Sequence, residues 1–115
     1  MTPQELYHNA MEAFQAGKCK PIRICLAIFE KGEQCACGLG AAFTNKYSFE
    51  EVIQKGINVD VDYLSEGSHL PFLYAKFANG FDGNYFGITY GVDEEIKKLG
   101  LEYYEIGQKL WEDLH

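Results

Sequence analysis

Four cysteines fall within nineteen residues, at Cys19, Cys25, Cys35 and Cys37. The intervening spacings are five, nine and one residues. None matches the C-x2-C pairs that suit tetrahedral zinc or a redox disulfide. A thiol or metal site would rest on Cys35 and Cys37, with a basic partner lowering the thiol pKa at a helix start. Plain packing is the competing account, because cysteine is among the most buried residue types and these lie among Ala, Gly, Ile and Leu.

A second cluster is aromatic. Eight of the seventeen aromatic residues fall between Tyr63 and Tyr90. Phe72, Tyr74 and Phe77 have helical spacing and suit a core, whereas Phe81, Tyr85, Phe86 and Tyr90 flank glycines in a segment that reads as a loop. With Asp82 and Asn84 they form a candidate binding surface, since tyrosine gives contact area at low entropic cost. A lid over the core is the alternative for the same residues. Asp82-Gly83-Asn84 does not make a calcium loop: with Gly83 at the turn position, the first and third ligand sites would be Ala78 and Gly80 and the twelfth Thr89.

No Ser-His-Asp order, His-Glu-x-x-His motif or phosphate loop is present, so no catalytic residue is assigned. His8, His69 and His115 are scattered. Gly38-Leu39-Gly40 lacks the rest of either phosphate-binding fingerprint. The expectation is a protein without catalysis and without a cofactor.

The elements that must position these residues read as follows. Thr2, Pro3 and Glu5 form a capping box opening a helix over 2–17, with Leu6, Tyr7, Ala10, Met11 and Phe14 on one face. Residues 22–29 alternate Ile22, Ile24, Leu26 and Ile28 with Arg23, Cys25, Ala27 and Phe29, which favours a strand; a short helix from Pro21 to Gly32 stays open. Glu30 to Gln34 is a polar turn, and Cys35 to Phe43 a short buried helix of small residues. Ser48 and Glu51 open another helix, with Val52 and Ile53 inward. Ile57, Val59, Val61 and Tyr63 alternate with polar residues, predicting a strand that projects Asp60 and Asp62 from one face. Residues 68–79 read as a helix, and 92–99 and 101–114 as two more separated by Gly100.

The fold class is therefore a helix-rich α+β single domain spanning 1–115, with four to six helices around a small sheet or hairpin built from 22–29 and 57–63. Cys37-Gly38-Leu39-Gly40-Ala41-Ala42 resembles the Cys-x-x-Gly-Ala helix of small uncharacterised bacterial and phage proteins. Phe77 to Ile96 is similar to the aromatic segment leading into a helix in the same group. That resemblance implies that the glycine–alanine helix and the aromatic loop pack together or line one cleft, and implies no activity.

Ten basic and seventeen acidic residues give a net charge of −7. Residues 1–57 carry six of each, so residues 58–115, with eleven acids and four bases, hold the whole imbalance. That balance excludes a protein that grips nucleic acid phosphates or anionic membranes. With no signal peptide or membrane span legible, the expected compartment is the cytoplasm. The expected partner is a protein or a second copy of the chain, and a basic partner is easier to accommodate than an anionic one.

Overall fold

The computed structural model describes residues 1–23, 26–55, 69–87 and 91–115. The strand expected over 57–63, Cys25 and Tyr90 lie outside them. The described residues form five helices and a three-stranded sheet, which is the helix-rich α+β class.

Helix α1 (Pro3–Gln15) opens on the capping box. Thr2 Oγ1 accepts the Glu5 N–H at 3.1 Å and the Glu5 carboxylate accepts the Thr2 N–H at 3.0 Å. Two of the orphan donors at this helix start are thereby satisfied. The helix buries Leu6, Ala10 and Ala13, with Tyr7, Met11 and Phe14 half-buried beside them.

The sheet departs from expectation. Strands β1 (Lys20–Pro21), β2 (Ala27–Glu30) and β3 (Glu33–Ala36) lie in the order β1-β3-β2. β2 occupies only the end of the 22–29 run, and its antiparallel partner among the described residues is β3, pairing Ile28 with Cys35. Lys31 and Gly32, at φ of 52° and 80°, make the two-residue hairpin turn whose twist matches the flanking strands. Cys35 is therefore a strand residue, and the expected short buried helix begins only at Gly38, as α2 (Gly38–Phe43). A single sequence could not separate strand from helix here, because Cys35, Ala36 and Cys37 carry no decisive propensity.

Helix α3 (Phe49–Lys55) follows, with Ser48 Oγ accepting the Glu51 N–H. Val52 is buried as expected, but Ile53 is exposed, because the short helix turns only a narrow stripe inward.

Helices α4 (Leu70–Asp82) and α5 (Glu94–Asp113) form the principal helix pair. The expected break at Gly100 does not occur, and 94–113 is one continuous helix. A Cβ on Gly100 would lie 2.8 Å from a Phe72 ring carbon, so this glycine makes room for a ring rather than ending a helix. Phe72 faces Gly100, and Phe77 and Phe81 face Gly107. Residue numbers rise together along the contact, so the two helices run in nearly the same direction. Residues 83–87, the described start of the connection, therefore turn back along the pair. Tyr74, Phe77, Phe81, Phe43, Leu6 and Leu110 fill the centre of the core.

Candidate functional site

The return connection is the aromatic segment singled out in the sequence, and its course follows from how α4 ends. Gly83 adopts a left-handed conformation, φ 75° and ψ 18°, which only glycine takes without steric cost. The Asn84 N–H donates to Asn79 O at 2.9 Å and the Gly83 N–H to Gly80 O at 3.3 Å, closing the helix and reversing the chain. Arg23 secures this corner. Its Nε–H donates to Phe81 O at 3.1 Å, and its guanidinium lies 4.0 Å from the Trp111 ring centre.

Beyond the corner, two side chains fasten the backbone. The Tyr104 hydroxyl, from α5, donates to Asn84 O at 2.6 Å. The Lys76 ammonium, from α4, donates to Phe86 O. Lys76 is the buried charged residue among those described, 5% exposed. Its Nζ lies 5.0 Å from the Phe72 ring centre and 4.7 Å from that of Phe86, a cation held between two π faces. Burial holds its pKa below the usual lysine value. Gly87, at φ 93°, lets the backbone pass beside this amine, where a Cβ would stand 3.0 Å from Nζ. The Phe86 ring meets Tyr104 edge-on at 5.5 Å.

Between the two fastened carbonyls stands Tyr85, 92% exposed. Asn84 is exposed with it and Phe86 is half-buried. Phe81 belongs elsewhere: it is fully buried in α4, stacked at 6.1 Å on Phe14 and edge-on at 5.2 Å to Trp111. Asp82 is the half-buried last residue of α4. The six residues assigned to one surface thus divide into a core residue, a helix end and a displayed loop, with Tyr90 undescribed.

Three residues of this site had not been singled out. Lys76 shares a helical face with Leu73, Phe77 and Gly80, so its position carried a signal that its charge concealed. Tyr104 lies beside the inward stripe of α5 rather than in it. Leu101, one turn before Tyr104, is 44% exposed and extends the apolar surface along α5.

The cysteines are placed differently. Cys35 is buried on β3 with its thiol 3.9 Å from Glu33 O, and Cys37 is buried at the start of α2. Cys19 is buried beside the β1–β3 pairing, and desolvation, with Cys35 nearby, pushes its thiol up to about 11. Among the described residues no group of three His, Cys, Asp or Glu side chains could hold a metal ion. A cleft of about 210 Å³ between α1 and α5 is lined by Gln4, Tyr7, His8, Ile106 and Lys109. There the Tyr7 hydroxyl and the Lys109 ammonium both donate to Asp113.

No family model matches the chain, and neither a curated protein nor a solved structure does. Function must be read from the geometry alone. No described helix is long and apolar enough to cross a membrane.

Proposed function

We propose that this protein is a small, non-catalytic binding or regulatory module whose contact surface is the connection between α4 and α5. The observation that carries the reading is Tyr85, almost fully exposed on a backbone fastened on either side by Tyr104 and Lys76. A tyrosine ring 92% exposed suits a protein interface, where tyrosine is enriched among the energetic centres and gives contact area at low entropic cost. Fastening lowers the entropy lost on binding, because the loop is ordered beforehand. The buried thiol of Cys19 suits the reducing cytoplasm.

Photo-crosslinking tests this. A benzophenone side chain placed at position 85 is expected to yield a discrete protein adduct in cells, and the same group at exposed Gln15 is expected to yield none. Equal labelling from both positions, or none from either, would overturn the reading.

A further inference from the structure

We infer that the partner offers a cationic, arginine-bearing protein segment, with a guanidinium stacking on the exposed ring of Tyr85. This inference rests on the contact surface proposed above and names its partner. Three observations carry it. From Asp82 to Glu95 the chain holds four acids, Asp82, Asp93, Glu94 and Glu95, and no base. Asp93 and Glu95 are exposed at the start of α5, beside a Glu94 that pairs with Lys97 at 3.2 Å, and Glu102 and Glu105 are exposed next to Leu101 and Tyr104. The exposed face of α5 therefore favours an approaching cation, whereas a nucleic acid or an anionic lipid surface is repelled.

The second observation is the ring itself. A tyrosine 92% exposed has an open π face, which attracts a guanidinium most strongly when the contact is partly desolvated. Leu101 supplies apolar surface along the same helix for such desolvation. Thirdly, the molecule already uses this chemistry on both sides of the loop. Arg23 lies over Trp111, and Lys76 over Phe86 and Phe72. Those cations are supplied internally, while no cation lies over Tyr85 among the described residues. A second copy of the chain fits less well, because it would bring the same acidic surplus against itself.

The test uses the whole protein and a short labelled peptide of alternating Arg and Gly, with its Glu-for-Arg counterpart as control. The arginine peptide is expected to bind and the glutamate peptide not to. Tyr85→Ala is expected to weaken binding about three- to tenfold, and Tyr85→Phe to retain most of it. Neither change alters the net charge, so a loss cannot come from bulk electrostatics. Equal affinity of Tyr85→Ala and the unaltered protein, or no arginine-peptide binding even at about 0.05 M salt, would overturn the inference. Position-specific crosslinks from residue 85 together with indifference to the arginine peptide would overturn the cationic partner and leave the contact surface standing.

Discussion

Phe81 and Tyr85 stand four residues apart, and their surroundings could hardly differ more. Phe81 is sealed between Phe14, Trp111 and the backbone of α5 at Gly107, while Tyr85 is nearly bare. The α4–α5 seam closes because glycines let the two helix backbones touch, and Gly100 leaves room for the Phe72 ring. A Cβ on Gly107 would come 2.2 Å from Phe77 O, and one on Gly80 2.0 Å from Tyr104 O. The connecting loop does the reverse. Its glycines permit a backbone path, its carbonyls are held by donors from both helices, and its central side chain is turned outward. Aromatic content alone does not separate core from contact surface; the neighbouring backbone decides.

The sharpest way to break this contrast is Phe81→Ala. Removal of a fully buried ring is expected to cost about 3–5 kcal/mol, lowering the melting temperature by more than roughly 10 °C. A near-neutral result would mean that Phe81 is not a core residue. Gly107→Ala should cost less, about 1–3 kcal/mol, because the helix gains propensity while the seam must open around a backbone clash. Differential scanning calorimetry reads both.

Lys76→Met sharpens the other side. It exchanges a buried ammonium for an apolar chain of similar length, so global stability should move by less than about 1 kcal/mol. The Phe86 carbonyl loses its donor, and amide exchange at Phe86 and Gly87 should speed up while α4 stays protected. Tyr85→Ala should have the smallest effect on folding, within about 0.5 kcal/mol. A large loss of stability there would make Tyr85 a lid residue.

Cys19 supplies a pH-dependent check on the cysteine-bearing region. Its thiol is pushed from an ordinary value of 9.0 to about 11 in the folded state. The unfolded chain therefore ionises first, so the stabilisation is complete below about pH 9 and is lost as pH rises through about 11. Alkylation of Cys19 should be slow at neutral pH and accelerate toward about pH 11, and Cys19→Ala should remove that part of the alkaline destabilisation.

Local signals were the ones that could be read. The capping box at Thr2 and Glu5 and the helical stripe of Leu73, Tyr74 and Phe77 lie within one or two turns of chain, and both stand where expected. The features that went astray depend on distant neighbours. Gly100 reads as a helix breaker because its reason, the Phe72 ring, belongs to another helix. Cys35 reads as part of the following helix because its strand partner, Ile28, becomes visible only when the hairpin closes. Phe81 reads as a loop residue because Gly80 resembles a stop, yet α4 continues to Asp82 and the missing side chain of Gly80 serves the seam. The surface itself was half legible: glycine, asparagine and aromatics marked the segment, but its fasteners, Lys76 and Tyr104, are contributed by the helices it crosses.

The claim that everything else rests on is that Tyr85 is displayed by an ordered backbone. Nitrogen-15 relaxation of its amide in the purified protein measures this directly. An order parameter of about 0.85 at Tyr85 and Gly87, matching the amides of α4, is the predicted result, with a fall at both positions in Lys76→Met and Tyr104→Phe. Values below about 0.6 in the unaltered protein would contradict it, because the loop would then sample many paths and present no fixed surface.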